Sequence, residues 1–265
     1  MSFTDSFGSR SMTVMLSPEM LSAVVRSGKE IVAHSEIKIG AARADGSCDA
    51  ALAAFRAYLG RTGLGLRGVP ITVGISNRWC QLAMLPWSDA LLHGDSALRY
   101  RQAHFAAIYG DPARNWEILC DDAPYGQPRL ACAIDRDFLI GLRDCARAIG
   151  HPWASLESVL SMAARTAAPG RQQALAVIEP GRVVMATFSH GRISAVQAEA
   201  CRGAWHAELP PAWQHWMLRA PELGDVAQVA LVSLGEAPAA AFDAAFAATA
   251  PAPRPTRLLV DVELH

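Results

Sequence analysis

Between residues 12 and 75 the apolar segments run in the order strand, strand, strand, helix, strand, and between 174 and 234 the same order returns. A chain that repeats such a run has few compact folds open to it, and a duplicated α/β unit is the simplest. In the first copy, Met12–Leu16, Leu21–Val25 and Glu30–Ile39 are short apolar runs separated by Ser17-Pro18-Glu19 and by Ser27-Gly28, as in an antiparallel meander. Helical spacing follows at Leu52, Phe55 and Leu59, and Val69–Ile75 is rich in β-branched residues. The second copy reads Ala174–Ile178, Val183–Ser189 and Ile193–Gln197 as strands, Trp205–Leu218 as a helix and Val226–Leu234 as a strand. A helix over Ala240–Ala250 and a strand over Leu258–Leu264 are expected to close the chain, joined by a linker at Pro251–Pro255. Between the copies lie a strand at Trp79–Trp87, a helix from Asp95 or Ser96 to Tyr109, strands at Trp116–Leu119 and Leu130–Ile134, and a helix capped by Asp135 and stopped by Gly150. The boundary between halves falls near Ala167–Gln172.

Composition removes several classes of function. Of the 265 residues, 51% are hydrophobic and 18% charged, which supports a packed core and excludes a disordered tail. A formal net charge of −1 provides no overall basic field for nucleic acid or acidic lipid. No signal peptide is evident at the N-terminus, and the apolar runs are too short or too interrupted by Pro and Asp to cross a bilayer. Cys48, Cys80, Cys120, Cys132, Cys145 and Cys201 lack metal-ligand or redox-motif spacing and read as reduced, mostly buried thiols.

Motifs that would carry chemistry are largely missing. Gly28-Lys29 is followed by Glu30 where a phosphate loop needs a hydroxyl, and no dinucleotide fingerprint opens a helix. The histidines show no metal-binding spacing, so no metal site is expected. Gly74-Ile75-Ser76-Asn77 resembles a nucleophile elbow until Arg78, which stands where the second glycine should permit close packing. An enzyme built on Cys80 or Ser76 would need a nearby base, and His34 cannot be placed beside either from sequence. Asp121-Asp122 reads as the start of a turn and Asp135 as a helix cap rather than as acid–base pairs. No catalytic residue is assigned.

With these segments in place, the chain resembles the actin, sugar-kinase and FtsA superfamily, and in detail its PilM and GspL branch, the cytoplasmic components of type IV pilus and type II secretion assembly platforms. The resemblance is carried by RLACAIDRDFLIGLRDCARAIGHPWASLESVLSMAA (Arg129–Ala164) and by QALAVIEPGRVVMATFSHGRISAVQ, the hairpin and following strand of the second copy. It implies a duplicated RNase H-like, actin-like ATPase fold with two βββαβ halves around a cleft. The first half would span 1–168 with an inserted subdomain at about 79–135, and the second 169–265.

Relatives of this superfamily hold nucleotide phosphates with two D-x-G hairpins, and both are altered here. The first reads Ser17-Pro18-Glu19, without glycine; the second, Glu179-Pro180-Gly181, keeps a carboxylate and a glycine but gains a proline that has no N–H. Ser233-Leu234-Gly235-Glu236 retains one glycine of the adenosine loop, beside an acid. Ser17, Glu179, Gly181 and Gly235 therefore mark a degenerate nucleotide cleft.

The resemblance implies a non-catalytic scaffold without a cofactor, cytoplasmic and peripheral to the inner membrane through the cytoplasmic tail of a single-span partner. Self-association is allowed, whereas nucleic acid and direct membrane spanning are not expected. The alternative is an active ATP-binding ATPase or sugar kinase of the same fold, using Mg2+. For the partner contact, Trp79, Leu85 and Trp87 share one face of the Trp79–Trp87 strand. That strand is apolar on both faces, which fits either burial between two layers or a groove that takes a tail.

Overall fold

A computed structural model describes residues 10–39, 48–62, 64–166, 174–202, 204–220, 226, 228–234 and 254–260. The expected half boundary at 167–172, the helix over Ala240–Ala250, Gly235, and the chain beyond 260 lie outside the described residues. The chain falls into two compact units, one of the described residues through Trp79 with Ile134–Ser158, the other of Cys80–Ala133 with those from Val159 on.

In the first unit, β1 (Arg10–Leu16), β2 (Met20–Ser27) and β3 (Glu30–Lys38) form the expected meander. The helix α1 (Asp49–Thr62) then leads to β4 (Ile71–Ile75), which runs parallel to β1. Later in the chain, α3 (Arg136–Ile149) and β8 (Trp153–Ser158) complete the unit, giving the sheet order β3-β2-β1-β4-β8. The Asp135 carboxylate accepts from the amides of Asp137 and Phe138, and Gly150 ends α3 at φ 86°, so both helix ends follow their sequence signals. Phe55 and Leu59 of α1 and Leu139 and Leu142 of α3 are buried. Gly141 lets the two helices approach: a Cβ there would lie 2.7 Å from a Leu52 methyl. Burial and the nearby Asp135 and Asp49 carboxylates push the Cys48 thiol up to about 12.

The second unit contains β9 (Ala174–Glu179), β10 (Arg182–Ser189), β11 (Arg192–Ala200), α5 (Trp205–Arg219), β12 (Gln228–Ser233) and β13 (Arg254–Val260). Its order, β11-β10-β9-β12-β13, repeats that of the first sheet, again with an antiparallel meander and two strands parallel to the first. The helix α4 (Val159–Thr166) precedes it and packs on β9. Along β9 every residue is buried, and the core beneath α5 is built from Trp205, Leu209, Trp213 and Trp216. Pro210 and Pro211 sit inside α5 and remove two amides from its ladder.

The last strand begins inside the expected Pro251–Pro255 linker, at Arg254. Its place at the sheet edge explains this, since an edge strand tolerates the missing amide of Pro255, and the register with β12 shifts there.

The inserted segment supplies β5 (Cys80–Leu85), α2 (Gly94–Tyr109), β6 (Trp116–Cys120) and β7 (Arg129–Asp135), with sheet order β5-β7-β6. The sequence places this insert in the first half; by contacts, Cys80–Ala133 groups with the second. The reason is packing of β5 against β11, tied by Arg182 to Gln81 (3.3 Å) and by Arg192 to Asp121 (2.6 Å).

Candidate functional site

In open α/β sheets, ligands bind outside the carboxyl ends of the parallel strands, because loops there can converge and leave donors free. In the first unit those ends are Leu16 of β1, Ile75 of β4 and Ser158 of β8. The turn after β1 is closed upon itself. The Ser17 amide donates to the Met20 carbonyl (2.8 Å), the Met20 amide donates to Ser17 Oγ (3.0 Å), and Ser17 Oγ lies 3.1 Å from the Met20 carbonyl as its donor. Pro18 has no amide to offer. Glu19 receives Arg78 at 2.8 Å, and its carbonyl takes the Ile39 amide.

After β4, Ser76 and Asn77 are fully buried. The Ser76 amide donates to the Leu16 carbonyl (2.9 Å), and its Oγ accepts the Arg78 amide (3.1 Å), so this exit is tied to the β1 turn. The side chain that could serve as a nucleophile is thereby committed to backbone. His34 neighbours Ser22 and Glu36 instead.

In the second unit the turn Glu179-Pro180-Gly181-Arg182 joins β9 and β10 with two residues between paired ends. Proline followed by Gly181 at φ 82° gives the dihedral pattern of a type II turn, which explains why the glycine persists there. The Gly181 carbonyl accepts the Cys201 amide (3.1 Å), and the Ile178 carbonyl accepts the Leu234 amide (2.9 Å). Glu179 is 3% exposed. Its charge reaches the buried Cys80, whose thiol is held well above its ordinary range by a hydrogen bond with the Cys132 thiol, by burial and by that charge. Burial and these contacts disfavour the Cys80 thiolate, the form in which a cysteine acts as a nucleophile.

Of the residues marked from sequence, Ser17 lies in the first unit and Glu179 with Gly181 in the second. Among the partner residues, Trp79 also belongs to the first unit and meets Phe138 edge-on at 5.4 Å. Leu85 is wholly buried with Ala83, Phe105 and Ile118 beneath α2, and it offers no surface to a partner. Cys80 and Leu82, on the opposite face of β5, are buried too, so the strand is covered on both sides. Trp87 stands past its end, partly exposed, 4.6 Å from Tyr125 and with the Arg129 guanidinium 5.8 Å over its ring. The Glu19–Arg78 and Asp121–Arg192 pairs were not legible in the sequence, because their members lie 59 and 71 residues apart. Among the described residues, no three His, Cys, Asp or Glu side chains converge on a metal position.

No sequence-family model matches the chain, and no curated protein matches it by sequence. Solved structures do. The cytoplasmic domain of EpsL, an inner-membrane component of the type II secretion system of Vibrio cholerae, is 11% identical with a TM-score of 0.57, covering 96% of this chain and 87% of that one. The PilM–PilN type IV pilus biogenesis complex gives 10% identity and a TM-score of 0.65 over 95% and 90%. A Bacteroides thetaiotaomicron protein with an actin-like ATPase fold and unknown function gives 8% and 0.64 over 98% and 94%. The class is thus fixed: the chain has a duplicated, RNase H-like actin fold. Within that class, its structural likeness runs to the PilM and GspL type.

Proposed function

We propose that this chain is a catalytically silent actin-like scaffold of a type II secretion or type IV pilus assembly platform, without a nucleotide cofactor, that holds the cytoplasmic tail of a single-span inner-membrane protein. One observation carries the reading: at the β1–β2 turn, where a phosphate site needs free donors, the Ser17 and Met20 amides and the Ser17 hydroxyl are consumed internally. At the same turn Glu19 engages the Arg78 guanidinium at 2.8 Å, so the cation nearest the turn is paired with a carboxylate. Likeness to the EpsL cytoplasmic domain and to PilM in its complex with PilN supports the setting. Among the described residues no helix is long and apolar enough to cross a membrane, in keeping with attachment through a partner.

The tail contact is assigned to the rim at Trp87 and Tyr125, the latter 74% exposed. Aromatic anchors of this kind dominate peptide interfaces. The test is titration with a synthetic peptide of the cytoplasmic tail of a candidate single-span inner-membrane partner. W87A should weaken binding at least tenfold while leaving the fold intact; unchanged binding rejects the site.

A second reading, an active ATPase or kinase, is favoured by Glu179 and Gly181 at the β9–β10 turn. Steady-state release of phosphate from ATP with Mg2+, lost in E179Q, would establish it.

A further inference from the structure

At the amino ends of β4 and β8, away from the strand ends discussed above, the first unit holds a cavity of about 440 Å³ walled by Arg143, Arg147, Gly150, His151, Pro152 and Trp153. His151 is 3% exposed. Its Nδ1 lies 3.0 Å from the Val69 carbonyl, which can only accept, so Nδ1 carries a proton. Nε2 is buried and has no hydrogen-bonding partner. A buried ring nitrogen left in that state costs stability unless a ligand or water completes it.

The walls of this cavity carry positive charge. Arg143 and Arg147 project from the last turns of α3, and the Arg143 guanidinium is held 5.8 Å over the Trp153 ring. Arg67 passes within 2.9 Å of the position a Cβ on Gly150 would occupy. Against three guanidiniums stands the Asp144 carboxylate, paired with Arg147 at 3.1 Å, and the helix C-terminus, equivalent to about half an elementary charge. The balance still favours an anion. Backbone donors contribute little, because the Gly150 and His151 amides donate to the Arg147 and Ala146 carbonyls. Recognition falls to side chains.

The geometry points to a binding site for a phosphate monoester. Near neutral pH such a group carries both ionised and protonated oxygens, its second pKa being about 6. It can therefore donate to Nε2 of a neutral ring or accept from a charged one, while its remaining oxygens meet the arginines. A carboxylate has no proton to give a neutral ring. This site lies at the opposite strand ends of the first sheet from the β1 turn, and it stands whichever reading of the nucleotide turns holds. The monoester can belong to a soluble molecule or to the headgroup of phosphatidic acid.

The test titrates the intact protein with inorganic phosphate by calorimetry at low salt, and in parallel measures co-sedimentation with phosphatidylcholine vesicles containing either phosphatidic acid or phosphatidylglycerol. Saturable binding of phosphate, or of phosphatidic acid vesicles in preference to phosphatidylglycerol ones, is expected, and which arm responds identifies the source. The double variant R143Q/R147Q should lose at least tenfold in affinity. H151N keeps a donor for Val69 and lacks Nε2, and it should lose severalfold with its melting temperature near wild type. The proposal is overturned by absence of binding in both arms, by equal binding of both anionic vesicles without saturable binding of phosphate, or by undiminished affinity in the double variant.

Discussion

In the first sheet the edge strand β3 is exposed along almost its whole length, with Ile31 at 52% and Val32 at 48%, whereas its counterpart β11 in the second sheet is half-buried and covered by β5. Both strands end the same βββ meander, so the repeat does not explain the difference. The insert does: its strand packs on β11, and two arginines of the second sheet, Arg182 and Arg192, reach side chains of the insert. On β3 the charged residues Glu30, Glu36 and Lys38 take over the task of keeping an open edge from pairing with other chains. Duplication thus supplies two equal frames, and what is laid on each edge makes them different.

The largest effect expected is on the cover itself. Leu85→Ala should cost about 2–5 kcal/mol in denaturant unfolding, as for a buried leucine whose cavity cannot collapse. A loss under 1 kcal/mol would mean that the β5 core is not what protects β11.

The two turns give the next contrast. Gly181→Ala forces an L side chain to φ 82° and should cost roughly 1–2 kcal/mol, while Ser17→Ala, which removes hydroxyl hydrogen bonds alone, should cost about 1 kcal/mol. Chemical melts of both variants would break the comparison if their order were reversed.

The Asp121–Arg192 pair behaves less intuitively. Burial raises the Asp121 carboxyl above its ordinary value, with Arg192 opposing the shift. A carboxyl raised in the folded state favours folding while protonated, and that contribution is lost as pH rises from the ordinary carboxylate range through the raised value. D121N should therefore melt at or slightly above wild type at pH 7, by less than about 1 kcal/mol because solvent reaches the pair, and the gap should close below about pH 4. Destabilisation of D121N at neutral pH would show that the ion pair outweighs burial. Smallest of all, Ile31→Thr on open β3 should stay within about 0.5 kcal/mol of wild type.

Much of this frame was legible in the chain. Alternating apolar runs broken by Ser17-Pro18-Glu19, Ser27-Gly28, Pro180-Gly181 and His190-Gly191 place both meanders to within three residues at every strand end, because turn chemistry and strand period are local properties. The start of β13 was not, since only its edge position licenses Pro255 within a strand. Of the candidate site, the glycine at 181 and the proline at 18 could be read directly. The closure of the first turn by Arg78 could not, because that arginine arrives from the far end of β4. Nor could the insert's partner: two-sided apolarity in β5 announced burial without saying against what.

The central claim is that the turn after β1, with the Ser17 and Met20 amides and the Ser17 hydroxyl bonded internally, is no phosphate site. Isothermal titration of the protein with ATP in Mg2+ buffer tests it most directly. No saturable heat up to millimolar ATP is the expected result, and micromolar affinity for ATP·Mg2+ would contradict it.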